Sequence, residues 1–260
     1  MRKDMIAIDG SKQSQIPELE FVEKFWTDRW ESVAAEARNN QIIQRDEYKI
    51  ISPYLDKLPR GAAIVDGGCG LGEWTILLGE NGFDAHGLDI SKTTCARLQE
   101  KFPEYHFECC DIRKTNYAND SFDFYFSWGA FEHFEEGLNP CFKEAHRILK
   151  PGRHLAVTVP YYNARLLAKD RDVQNDNNTQ NQRFYQWRLT AAELRAEFEK
   201  AGFMLVEEHL IHKHVGASRC AHGLGLNEGS ILHAIVAGLA RRLLSATYLS
   251  HMIIGVGVKQ

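Results

Sequence analysis

The 260-residue sequence is short of several things, and each shortage removes a class of protein. No apolar run is long enough to cross a membrane. The first residues are charged and polar, unlike a secretory signal. No Pro/Gly/Ser-rich stretch divides the chain in two, so one sizeable core is expected. The six cysteines (Cys69, Cys95, Cys109, Cys110, Cys141, Cys220) form no C-x-x-C pair, so reduced thiols in a cytoplasmic protein are expected. There is no excess of positive charge: the net charge is −4 and Lys and Arg are scattered, which argues against nucleic acid as substrate. A Walker Gly-Lys-Ser/Thr is missing, and so is G-x-G-x-x-G. Counted from Gly68 the sixth position is Glu73, and from Gly70 it is Thr75.

What is present is concentrated between residues 62 and 72, an apolar run (Ala62 to Val65) ended by Asp66 and followed by Gly67, Gly68, Gly70 and Gly72. A buried strand ends there, and the backbone beyond it must pass close to something without side chains intervening. A second short strand follows, Gly87-Leu88-Asp89-Ile90, again with an acid at its end. The pairing marks a nucleotide-like ligand. The glycine turn lets backbone N–H groups and a helix N-terminus face it, and Asp89 can accept both ribose hydroxyls. Acids at 66 and 73 would repel a pyrophosphate but suit a ligand with a cationic amino-acid end.

With Val65-Asp66-Gly67-Gly68-Cys69-Gly70-Leu71-Gly72 as first motif, the chain resembles the class I S-adenosylmethionine-dependent methyltransferases, in particular the small-molecule branch similar to the UbiE/type-11 domain. The likeness continues through Cys110-Asp111-Ile112, Ser121 to Ser127, Phe131-Glu132-His133, Glu144 to Gly152, and Arg188-Leu189-Thr190 to Phe203. It implies S-adenosylmethionine as cofactor and a Rossmann-like, doubly wound α/β sheet of seven strands in the order 3-2-1-4-5-7-6, with strand 7 antiparallel. It also implies Asp66, Gly67, Gly68, Gly70, Gly72, Asp89, Ile90, Asp111, Ile112, Ser127 and Trp128 as cofactor-binding residues, with Asp111 on the adenine amino group.

Periodicity supplies the order of elements. Helices are expected at 17–38 and 41–55, then strands at 62–66, 84–89, 105–110, 122–127, 153–160, 203–213 and 251–259, with helices at 72–81, 92–101, 138–149 and 191–201. This gives a single domain: an N-terminal helical cap (1–58), a cofactor-binding core (59–213), a helical insert (214–250) and a last strand (251–260). Ligands in such sheets bind at the strand C-ends beside the switch point, where Gly68 and Ser127 fall. Two segments exceed that minimum. Asn163 to Gln186 is long and polar and is expected to be a lid. Leu226 to Ser250 carries an apolar stripe (Leu232, Ile235, Val236, Leu239, Leu243, Leu244) interrupted by Arg241 and Arg242. The expected fate of this stripe is packing on the domain or on a second subunit, so the protein is a monomer or a homodimer. Membrane-surface contact is the lesser alternative, since only two cations flank the stripe.

The implied reaction is in-line methyl transfer to the O, N or C nucleophile of a small or medium-sized acceptor, which needs alignment and exclusion of water more than acid–base chemistry. His133, Tyr161 and Tyr185 are the candidate catalytic residues, with Tyr162 as a further base candidate. Trp26, Trp30 and Trp128 could wall the site, with Phe25 beside them. A catalytically inactive cofactor- or partner-binding protein is the competing reading. Aminopropyl transfer is disfavoured because no acid-rich polyamine site is visible. His209, His212 and His214 are read as strand-face residues, and no metal is expected.

Overall fold

The computed structural model describes residues 1–7, 16–32, 42–172 and 182–260. Its main sheet is assembled from β2 (Ala63–Gly67), β3 (Asp84–Asp89), β4 (His106–Cys109), β5 (Phe122–Trp128), β6 (Leu149–Pro160), β8 (Phe203–Ile211) and β9 (Met252–Lys259). They lie in the order β4-β3-β2-β5-β6-β9-β8, and β9 runs antiparallel to both its neighbours. Counted along this sheet alone the order is 3-2-1-4-5-7-6, as the resemblance implied.

Helices α3 (Glu73–Glu80), α4 (Lys92–Lys101), α5 (Asn139–Ile148) and α7 (Ala191–Lys200) join successive strands, while α2 (Asp46–Leu55) precedes the sheet. The strands alternate residue by residue between two apolar layers, as a pleat requires. Val65, Tyr125, Leu155 and Val157 pack with α5 and α7 through Phe142 and Phe198. Their neighbours Ile64, Phe124, Phe126 and Ala156 pack on the opposite face against Ile51, Trp74 and Leu78 of α2 and α3.

Three departures from expectation bear on the site. The N-terminal cap is not wholly helical: β1 (Arg2–Ala7) pairs antiparallel with β7 (Gln182–Arg188) in a separate two-stranded sheet, ahead of α1 (Glu18–Ser32). Its partner lies far away in sequence, so no local period announces it. The expected lid is flanked by α6 (Ala164–Asp172) and β7, and its middle, 173–181, lies outside the described residues, as do 33–38 of the first helix and Gln41 of the second. The insert forms α8 (Lys213–Gly223), α9 (Ile231–Leu243) and the short α10 (Ala246–Leu249). The apolar stripe of α9 is exposed and is not covered by the other described residues.

Candidate cofactor and acceptor site

Each strand of the parallel region ends at the same edge, and the loops leaving β2, β3 and β5 enclose a cleft there. The turn after β2 is fixed by backbone bonds: the N–H groups of Gly68 and Cys69 donate to the Leu88 carbonyl at 2.8 Å each. Gly68 and Gly70 have φ of +87° and +53°, where an L side chain is strained. A Cβ on Gly68 would sit 2.5 Å from Ala130 Cβ, and one on Gly70 would sit 2.8 Å from the Trp30 ring. The glycines therefore serve the turn itself as well as any ligand passing over it.

Asp89, at the end of β3, accepts from Gly70 N and Ser91 N at 2.9 Å each, one to each carboxylate oxygen. Each oxygen keeps a lone pair for a further donor. Burial raises its pKa, against the pull of those backbone N–H groups. Asp66 is buried too and accepts from the Thr75 hydroxyl at 2.9 Å. Burial carries its pKa up to about 7, the Thr75 hydrogen bond opposes the rise, and the charge on Asp89 adds to it. Two buried carboxyl groups thus flank the glycine turn, and neither has an ion pair among the described residues.

The cleft has two lobes. One, of about 580 Å³, is lined by Gly68, Asp89, Ile90, Cys110, Ile112, Trp128, Gly129, Ala130, His133 and Phe134, and roofed by Val22, Trp26 and Trp30 of α1. The other, of about 830 Å³, is lined by Asp66, Gly68, Cys69, Gly70, Leu71 and Trp74 with Arg45, Glu47 and Glu73, and shares Trp30 and Trp128 with the first. Arg45 and Glu73 pair across its rim at 2.8 Å. The roof is pinned at several points: Thr27 to Ser91 at 2.7 Å, Glu18 to Arg113 at 3.4 Å, and the Trp26 ring edge-on to His133 at 4.9 Å. The Trp26 and Trp30 rings stack at 5.1 Å. The indole N–H groups of Trp30 and Trp128 are buried with no acceptor among the described residues.

His133 lies on a short 3-10 turn (Phe131–His133), and its Nδ1 donates to the Tyr185 carbonyl at 2.8 Å. That bond sets the ring proton of the neutral imidazole on Nδ1. Burial holds its pKa down to about 4, so the ring is neutral at pH 7. Beside it, buried Glu132 is raised by desolvation to about 8. Tyr185 packs against His133 and Phe25, with ring centroids 5.0 and 5.5 Å apart, and lines a side recess of the cleft.

Other expected site residues lie apart from the cleft. Asp111 is held by Arg113, whose Nη2 and Nε donate to it at 2.8 to 3.1 Å, so its carboxylate is turned to the guanidinium. Gly67 rests on the Tyr125 ring, Gly72 caps α3, and the buried Ser127 hydroxyl donates to the Gly67 carbonyl at 2.7 Å. All three shape the loop from behind. Tyr161 lies at the end of β6 with its N–H on the His251 carbonyl, and the Tyr162 hydroxyl donates to Asp170. Gly129, Ala130, Phe134, Cys110 and Val22 line the cleft without having been singled out. Loop residues after β5 and a single helical valine carry no local signal of a ligand.

The three histidines also need correcting. His209 is on β8, but His212 is beyond the strand with φ of 57° and pairs with Glu47 at 3.0 Å, and His214 is on α8. A different set, Asp84, His86 and His106, brings its ligand atoms within 4.8 Å of one another. It lies at the opposite end of β3 and β4 from the cleft.

Against this geometry, residues 64–152 match the family model described as a methyltransferase domain. The chain is similar to the 2-methyl-6-phytyl-1,4-hydroquinone methyltransferase of Synechocystis, 33% identical over 40% of this chain and 33% of that protein. It is also similar to a Mycolicibacterium smegmatis protein named "Probable S-adenosylmethionine-dependent methyltransferase", 28% identical over 77% of this chain and 72% of that one. The chain spans about a third of the length of the Synechocystis relative in that match. The solved geranyl diphosphate C-methyltransferase of Streptomyces coelicolor shares the fold, with a TM-score of 0.60 at 12% identity over 95% of this chain and all of that one. The matched core is a methyltransferase domain, and the sheet has the Rossmann-like fold of the solved methyltransferases. These matches support a place for residues 64–152 among the S-adenosylmethionine-dependent methyltransferases.

Proposed function

We propose that this protein binds S-adenosylmethionine in the two-lobed cleft and transfers its methyl group to a small or medium-sized acceptor. The observation that carries this reading is the pair of buried acids, Asp66 and Asp89, on either side of a glycine turn whose neighbouring indole N–H groups lack acceptors. A ligand with a cationic amino-acid end, ribose hydroxyls and acceptor atoms suits all three features, and a pyrophosphate suits none of the acids. Bound there, the sulfonium supplies a methyl group already activated for displacement.

The chain's own part is alignment and exclusion of water. Asp89 accepts from the ribose. Ile90 and Ile112 line the cleft where they would hold an apolar-faced base, and Trp26, Trp30 and Trp128 would offer aromatic faces to a positive sulfur. His133, which lines the cleft with Tyr185 packed against it, would be the group to take a proton where the acceptor has one to lose. Tyr161 stands outside this group. The largely aromatic and aliphatic lining favours an acceptor with an apolar body, in keeping with the prenylated compounds named for the Synechocystis and Streptomyces proteins.

The test is calorimetry of the full chain with S-adenosylmethionine, S-adenosylhomocysteine and NAD, followed by an assay for S-adenosylhomocysteine over a panel of phenolic, carboxylate and amine acceptors. Binding of the first two without NAD, and turnover of at least one acceptor, is the expected result. Binding of NAD in place of the adenosyl ligands would overturn the reading.

A further inference from the structure

Helix α9 is built inside out. Ile231, Ile235, Leu239 and Leu243 follow one another at four-residue spacing and form one stripe, with Leu232 beside it. The stripe faces outward: Ile231 is 81% exposed and Leu243 75%, with Leu224 at the preceding turn 71% exposed. The helix is held on the side of His233, Val236, Ala237 and Ala240. Its one buried residue, His233, reaches Ser218 on α8 at 3.2 Å and packs on the His222 ring at 4.7 Å. Apolar patches of this kind on a folded surface mark a contact with something outside the molecule.

Charge says what that something is. Although the chain is acidic overall, the insert over residues 212–250 contains Lys213, Arg219, Arg241 and Arg242 against one acid, Glu228. Arg241 and Arg242 close the last turn of the stripe itself. A second copy docked by two-fold symmetry would present the same cations again, with almost no acids to receive them. An anionic bilayer offers hydrocarbon for the stripe and headgroups for the cations. The helix is too short to cross, and no described helix is long and apolar enough to do so. The insert also leaves the sheet between Ile211 and Met252, which pair with each other and lie beside Pro160 at the C-terminal end of β6. It therefore lies at the same end of the sheet as the cleft.

We propose that residues 224–244 dock this protein in the plane of an anionic lipid surface, with the apolar stripe in the headgroup–acyl boundary and Arg241 and Arg242 on the phosphates. The docking stands independently of the methyl-transfer reading, although it would deliver amphiphilic acceptors to the cleft.

Co-sedimentation of the full chain with vesicles of phosphatidylcholine alone, and of phosphatidylcholine mixed with phosphatidylglycerol, tests it. The protein is expected to pellet with the mixed vesicles and at least about tenfold less with the neutral ones or at high salt. Ile235→Asp with Leu239→Asp should abolish pelleting while the thermal midpoint and S-adenosylhomocysteine affinity stay unchanged, which separates lost docking from lost folding. Absence of binding to either vesicle would overturn the proposal. So would a concentration-dependent dimer in sedimentation velocity that the double variant dissolves, since the stripe would then be covered by a second copy.

Discussion

Helices α3 and α9 are both rich in large aliphatic residues, and the structure treats them in opposite ways. In α3, Trp74, Thr75, Ile76, Leu77 and Leu78 are all buried, on every side of the helix. In α9 only His233 is. The difference lies in connectivity. Helix α3 joins two parallel strands, so a right-handed crossover lays it on the sheet while α2, β4 and the 99–107 segment cover its other sides. Helix α9 sits between β8 and β9, antiparallel neighbours that a short turn could have joined. No crossover presses it on the sheet, and its neighbour α8 takes the side that carries His233. Apolar content states that a surface needs covering, and topology decides whether the chain itself covers it.

The largest effects should come from the α3 side. Gly70→Val places a branched side chain at φ of +53° against the Trp30 ring. S-adenosylmethionine binding by calorimetry should be lost altogether, while far-UV circular dichroism still reports a folded α/β protein. Retained affinity would mean that the turn tolerates a side chain and does not approach the ligand closely. Next comes a matched pair of truncations in the two helices. Leu78→Ala empties a fully buried site and should cost ~2–5 kcal/mol in urea unfolding. Leu239→Ala removes a mostly exposed side chain and should stay within about 0.5 kcal/mol. Equal costs for the two would show that α9 is packed after all.

The same contrast explains what the sequence made legible. The strand order, the glycine turn and the acids at 66 and 89 could be read because local pattern and topology agree there: an apolar run, an acid, a glycine turn and a crossover helix form a consecutive unit. The carboxylate of Asp111 is paired with Arg113, which folds back onto it from two residues on. That bond is visible only in three dimensions. The β1–β7 pair and the α1 roof depend on contacts between distant segments, such as Thr27 with Ser91, so Trp26 and Trp30 read equally well as core or as wall. The exposure of α9 was invisible for the converse reason: an amphipathic period states that a face is apolar but not what lies opposite it.

Asp89 offers a smaller and more specific measurement. Asp89→Ala removes the acceptor proposed for two ribose hydroxyls, and hydrogen bonds to a charged group contribute ~1.5–3 kcal/mol, so affinity should fall at least about tenfold. The same change frees the Gly70 and Ser91 N–H groups, so Asp89→Asn, which keeps two acceptor lone pairs on one oxygen, separates loop support from ligand binding. An intermediate affinity for the Asn variant fits both roles. Unchanged affinity in the Ala variant would remove Asp89 from the ligand site.

The last expected effect is a pH dependence of stability in the protein without ligand. Asp66 holds its proton more tightly folded than unfolded, with a pKa near 7 against an ordinary value of 3.8. The folded state therefore carries the extra proton between those values, and stability from this group is lost as pH rises through about 7. Between pH 6 and 8 the loss should be on the order of 1 kcal/mol. Glu132, raised by burial to about 8, contributes a loss of the same sign in the same window. The two are separated by comparing urea unfolding of the natural chain with Asp66→Asn, which cannot ionise: the Asn variant should show a shallower fall from pH 6 to pH 8, with the remainder due to Glu132. A ligand with a cationic end should also flatten the natural chain's slope, because a positive charge beside Asp66 lowers its pKa and restores the ionised form. Parallel slopes for the two proteins would show that Asp66 is already ionised in the empty cleft, and the shared-acid account of the site would fail.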